Sequence, residues 1–216
     1  MMSVQQIVEF LTEETIKEEI LDEAARSVGD ALNEGYALLI KDGGATKFIV
    51  LYEPNEFISL MNEQESIEPE YVVVGYMAIT SSYEKLCGGW VVSSIAARQG
   101  YGPLMYDIAM SIISPQLLTA DRENVSKQAR KVWNYMLTVR ANDYMIKQVS
   151  PKGACWHDVQ PNDKALNYMF AIKNKIDFGK LVVNNKQTMR KLSEPKLAEE
   201  ELVELAMKYF EGRYFS

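Results

Sequence analysis

Between Val91 and Leu104 the chain reads Val-Val-Ser-Ser-Ile-Ala-Ala-Arg-Gln-Gly-Tyr-Gly-Pro-Leu. An apolar run enters a loop with glycine at 100 and 102, and Pro103 opens a helical pattern. Proline fits the first turn of a helix because the first four amides have no partner inside it. Those amides and the positive end of the helix dipole attract an anion. Glycine lets a phosphate approach the backbone with no Cβ in the way. Gln99, Gly100, Tyr101 and Gly102 are therefore candidate phosphate contacts, and Arg98 adds a movable positive charge beside them. The same residues also suit a tight turn into a helix with no ligand at all. Two commoner phosphate sites are excluded. No Gly-Lys-Ser/Thr follows, as a P-loop requires, and Met105 stands where a dinucleotide fingerprint needs its third glycine.

Other reactive side chains are sparse. The single histidine lies in Cys155-Trp156-His157-Asp158. A Cys–His pair suggests a nucleophile, but no activating group is visible, and a packed cysteine beside a surface histidine is the simpler reading. With one histidine and two cysteines, Cys87 and Cys155, a conventional zinc site lacks ligands and a disulfide framework lacks partners. Arg122 to Lys152 carries seven bases among Trp133, Tyr135 and Tyr144, a mixture on which nucleic acid could stack. The net charge of −7 argues against a non-specific nucleic-acid binder. Charge is unevenly placed: residues 1–108 hold 6 Lys+Arg against 18 Asp+Glu, whereas residues 109–193 hold 14 against 6. That asymmetry suits an anion site on one part and a cationic partner on the other, or simply two solvated faces.

The elements that must position these residues follow from periodicity. Ser3 to Leu11 reads as a helix. Ile16, Ile20, Ala24 and Val28 recur at helical spacing up to a stop at Gly29, so residues 1–34 form an acidic helical extension. Residues 36–40 and 47–52 flank Asp42-Gly43-Gly44 as a hairpin. Pro54 to Leu60 is a short helix. Residues 71–80 and 86–93 are strands, the second carrying Gly88-Gly89, where a bulge or close backbone approach is expected. Residues 103–113 form a helix, 116–120 a buried strand and 124–140 an amphipathic helix. A crossover helix between 86–93 and 116–120 makes those two strands parallel. Residues 141–164 read as loop, 168–172 and 179–183 as late strands, the first with some helical character, and 193–216 as a C-terminal helix that docks on its own domain. The sum is one α+β domain over 1–216. No apolar run reaches the ~18 residues of a membrane span, and Met1 to Gln5 lacks the basic start of a secretion signal. A cytoplasmic protein away from membranes is expected, as a monomer or dimer.

From about Tyr71 to Arg140, roughly a third of the chain, the order strand, glycine loop, helix, strand, helix resembles the core of the GNAT N-acetyltransferases. The resemblance implies an acetyltransferase-like central mixed sheet flanked by helices, with acetyl-CoA as cosubstrate. It implies that the backbone of 97–102 holds the coenzyme's pyrophosphate and that strand 86–93 splays from 117–120 to admit the pantetheine arm. An oxyanion donor would come from around Val91 or Val92, and Ser126 and Trp133 would face the coenzyme from the later helix. Three positions depart from the family pattern. Ala97 stands where Arg or Gln is usual, Ser126 where Asn is usual, and Trp133 where a tyrosine serves as proton donor to the departing thiolate. An indole cannot give up a proton in that pH range, so the acid becomes Tyr106, Tyr135 or solvent, with Glu84 or Glu70 as candidate base. The expected reaction is N-acyl transfer from an acyl-CoA to an amine, on a small molecule or a protein, and the acidic N-terminal half favours a cationic acceptor. Two other readings stay open: an inactive binding protein on the same fold, and a nucleic-acid-associated protein.

Overall fold

The computed structural model describes residues 25–63, 68–81, 89–121, 125–148 and 164–214. The helices expected over 3–11 and from Ile16, together with Glu84, Cys87, Cys155 and His157, lie outside them. The first described helix, α1 (Val28–Asn33), starts where the sequence reading placed a helix stop. Ser27 explains the difference. Its Oγ accepts from the Asp30 amide, and the Asp30 carboxylate accepts from the Ser27 amide at 2.7 Å. This reciprocal capping box starts a helix at Val28 whatever the upstream spacing.

Seven strands form one mixed sheet in the order β1-β2-β3-β4-β5-β7-β6. Strands β1 (Ala37–Asp42) and β2 (Thr46–Tyr52) make the expected antiparallel hairpin. Helix α2 (Pro54–Glu63) and the single turn α3 (Pro69–Val72) lead into β3 (Val73–Thr80), every residue of which is buried. That strand is central and covered on both faces, as its unbroken apolar run requires. Strand β4 (Trp90–Ala97) pairs antiparallel with β3 and parallel with β5 (Leu118–Ala120). Between them runs α4 (Gly102–Ile113), buried along almost its whole length. Helix α5 (Lys127–Thr138) is amphipathic. Strands β6 (Tyr144–Gln148) and β7 (Tyr168–Ile172) close the far edge as an antiparallel pair.

Two layers of apolar side chains cover the sheet, because alternate strand residues point to opposite faces. On one face Leu38, Ile49, Met77, Ile79 and Val92 pack against α4 and α5. On the other, Leu39, Val50, Tyr76 and Ala78 pack against Phe57 of α2 and against Ala198, Leu202, Ala206 and Tyr209 of α7 (Pro195–Tyr214). The C-terminal helix therefore docks on its own sheet. The architecture is α+β, a mixed sheet flanked by helices, and no described helix is long and apolar enough to cross a membrane.

Two expectations are corrected. Residues 179–183 are not a strand but the first turns of α6 (Gly179–Met189). Leu181, Asn185, Thr188 and Met189 share its buried face, so half of the helical stripe is polar, and the Leu-Val-Val run imitates a strand although Val183 is half exposed. Conversely, the stretch read as loop contains β6. It is an edge strand with one buried residue, so it lacks the alternation that marks a strand.

Candidate functional site

Residues 86–88 of the expected strand lie outside the described residues, and β4 ends later than expected, with Ser94 to Ala97 in the strand rather than in the loop. Ala78 pairs with Ser94 and Ile79 with Val92, which leaves Ser93 as an unpaired bulge. Its Oγ donates to the Ala78 carbonyl at 3.0 Å. The extra residue shifts the alternation, so that Val92 and Ile95 both pack toward α4 and α5. The bulge described here is at this serine, and Gly88 lies outside the described residues. Gly89 lies just before the strand, where a Cβ would meet the Leu117 carbonyl at 3.0 Å, the close backbone approach expected of that pair.

The parallel pairing of β4 with β5 covers Trp90, Val91 and Val92 against Leu118, Thr119 and Ala120, and there it stops. There β5 ends, whereas β4 runs on to Ala97. The cleft between them is lined by Val92, Ser93, Ile95, Tyr106, Ser126 and Trp133, with Asp121 on the β5 side and Phe210 from α7 on the opposite face of the sheet. Val91, buried at 3%, is not in that lining, so of the two candidate oxyanion donors Val92 and not Val91 fronts the cleft.

The loop after β4 has its own geometry. Gly100 has φ +84°, the left-handed region that glycine enters freely. Gly102 opens α4, and Pro103 follows in the first turn. The Arg98 amide is tied to the Val74 carbonyl and the Tyr101 amide to the Arg98 carbonyl. Among the described residues nothing accepts from the amides of Gln99, Gly100 and Gly102. A left-handed residue flanked by free amides at a helix start is an anion-binding concavity. The Arg26 amide, donating to the Gly100 carbonyl at 2.9 Å, and the edge-on contact of Tyr36 with Tyr101 hold the loop from outside. Gly102 needs neither of glycine's usual excuses. Its φ is not positive, and a Cβ there would meet only Val132 Cγ2, at an ordinary 3.6 Å.

Arg98 is not the movable charge expected of it. Its guanidinium donates to the carbonyls of Val73, Glu70 and Tyr71 at 3.2, 2.8 and 3.1 Å, capping the end of α3. Glu70 therefore serves through its backbone and does not line the cleft. Tyr135 does not line it either, being buried away from Trp133 as the helical angle requires. Ser126 caps α5, its Oγ accepting from the Ala129 amide at 3.1 Å, and lines the cleft with its hydroxyl proton still to give.

Tyr106 and Trp133 sit together. Their rings meet edge to face with centroids 4.8 Å apart, and Trp133 also leans on Phe170 at 5.3 Å. Of the two candidate acids, Tyr106 is the one in the cleft wall. Its hydroxyl is buried with no hydrogen-bond partner among the described residues, and burial pushes its pKa well above the ordinary tyrosine value. Asp107, the next residue, takes no part in the cleft. It accepts from Tyr144 Oη at 2.7 Å and from Arg140 Nη1 at 2.8 Å, joining α4 to the segment after α5 and to β6. Burial pushes the Asp107 carboxyl up, against the pull of Arg140 and Tyr144.

Sequence reasoning missed Ser93, Ser94, Asp121 and Phe210 as cleft residues. The Ser93-Ser94 pair inside an apolar run was the available signal for the first two. No protein-family model, no curated protein and no solved structure matches the chain.

Proposed function

We propose that the chain transfers an acyl group from an acyl-CoA to an amine, on an acetyltransferase-like fold. The observation that carries this reading is the cleft beside β4 where its parallel pairing with β5 ends at Val92 and Ala120, directly upstream of a loop with three amides that have no acceptor among the described residues. An extended thioester fits that arrangement, with its phosphates at Gln99, Gly100 and Gly102 and its arm along β4 beyond Val92. The coenzyme supplies an activated acyl carbon. The chain supplies the rest: amides that hold the phosphates, a strand edge that aligns the arm, and apolar walls from Ile95 and Trp133 that exclude water. The amine's proton is assigned to a carboxylate, either Glu84 or Asp121, the latter lining the cleft. The acceptor is proposed as a cationic amine, in keeping with the acidic N-terminal half.

The test is a calorimetric titration of acetyl-CoA into wild-type protein and Gly102→Ala. The methyl fits the protein but stands at the mouth of α4, where the phosphates would lie. The reading requires saturable wild-type binding and at least tenfold weaker binding by Gly102→Ala. Equal affinity in the two removes the cradle, and no wild-type binding removes the reading.

A further inference from the structure

Tyr106 is 1% exposed, and among the described residues its Oη has no partner. Tyr101 Oη and Thr119 Oγ1 are also buried without one, but of the three only Tyr106 lines the cleft. A buried hydroxyl without a hydrogen bond is costly to keep, and one in a cleft wall is placed to bond a ligand atom. Its surroundings say where that atom is. Tyr106 shares the cleft wall with Val92, Ala120 and Trp133, the end at which β4 and β5 are still paired. An arm that enters from the Gly100 loop and follows β4 inward stops there, so its reacting end lies beside Tyr106.

We propose that Tyr106 Oη is the acid of the transfer reaction, an inference that rests on the acyl-CoA reading above. The amine nitrogen forms its bond to the acyl carbon. The carbon–sulfur bond breaks, and its electron pair stays on sulfur. The Oη proton passes to that sulfur to give the free thiol. The proton shed by the amine nitrogen passes to the carboxylate assigned above and returns from it through solvent to the phenol, so thioester and amine become amide and thiol with nothing left over. Burial keeps Oη protonated until that moment and raises the basicity of a thiolate in the same cleft alongside it. Trp133 holds the ring through its edge-to-face contact but has no proton to offer. Asp107 cannot compete, because its carboxylate is engaged by Arg140 and Tyr144.

Wild-type protein and Tyr106→Phe are compared in three measurements: thermal midpoint, calorimetric affinity for acetyl-CoA, and release of thiol from acetyl-CoA in the presence of spermidine, lysine or a lysine-rich peptide. The expected result is an unchanged or higher midpoint, affinity within about twofold, and thiol release lower by about 10²-fold, the smaller end of what a general acid contributes. A lower midpoint means that Oη has an internal partner and overturns the proposal. Thiol release at the wild-type rate, or affinity weaker by tenfold or more, overturns it as well. Wild-type protein that binds acetyl-CoA yet releases no thiol overturns it together with the transfer reaction and leaves the coenzyme site standing. Wild-type protein that binds no acetyl-CoA overturns the acyl-CoA reading itself.

Discussion

Gly100 and Gly102 are two residues apart and glycine for different reasons. Gly100 sits at φ +84°, where any Cβ crowds its own carbonyl. Gly100→Ala should therefore lower stability by about 1–2 kcal/mol, read as a lower urea midpoint at unchanged slope. Gly102 carries no such constraint, and Gly102→Ala should leave the midpoint unchanged or raise it by at most about 1 kcal/mol. A Gly102→Ala protein as unstable as Gly100→Ala would give that glycine a structural reason and weaken the phosphate argument. The distinction is invisible in the sequence, where both residues read as one glycine loop. The loop was legible from its glycines before a helical pattern, and the place of Ser126 and Trp133 beside the cleft only through the resemblance in element order. The role of Arg98 was not, since the carbonyls that hold it belong to Glu70, Tyr71 and Val73, far upstream. A side chain's charge is written in the sequence, but its partner is set by which strands pair.

At the level of elements, α4 is where the site and the scaffold meet. Its first turn faces the loop, its second places Tyr106 in the cleft, and Asp107 anchors it to Arg140 and Tyr144. Asp107→Asn keeps the shape and removes the charge from a carboxylate only 6% exposed. Breaking a buried pair leaves Arg140 partly uncompensated, although Asp143 still accepts from its Nε at 2.8 Å. The expected loss is about 2–4 kcal/mol in urea unfolding, with acetyl-CoA affinity per folded molecule unchanged, because the network does not touch the cleft. A loss below about 1 kcal/mol would mean that Asp143 alone satisfies the guanidinium. Elements were legible where one face is apolar, as in β1, β2, α4 and α7. They were lost where polar residues occupy the buried face, as Asn185 and Thr188 do in α6. Asn185 is there because its Oδ1 accepts from Tyr52 Oη at 2.8 Å, a bond across 133 residues that local periodicity cannot reveal.

At the scale of the molecule, the sheet is a shared wall between two apolar layers. Trp90 and Trp133 belong to the layer under α4 and α5, whereas Leu202, fully buried in α7, belongs to the other. The layers touch through β3 and β4, whose successive residues point alternately into each: Met77 and Ile79 into one, Tyr76 and Ala78 into the other. A change that loosens α7 therefore strips one face of the strands whose other face builds the cleft. Leu202→Ala should cost about 2–5 kcal/mol, the range for truncating a buried leucine. The test is whether the far layer notices. Tryptophan fluorescence, measured with Trp156 replaced by Phe so that it reports Trp90 and Trp133, and far-ultraviolet circular dichroism should shift to the same lower urea midpoint in Leu202→Ala, and the two curves should still coincide. If the tryptophan transition stayed at its wild-type position while helix signal was lost earlier, the α7 layer would be melting on its own. The chain would then behave as a cleft-bearing unit with a detachable cover, and the contribution of Phe210 to the cleft would depend on whether that cover is closed.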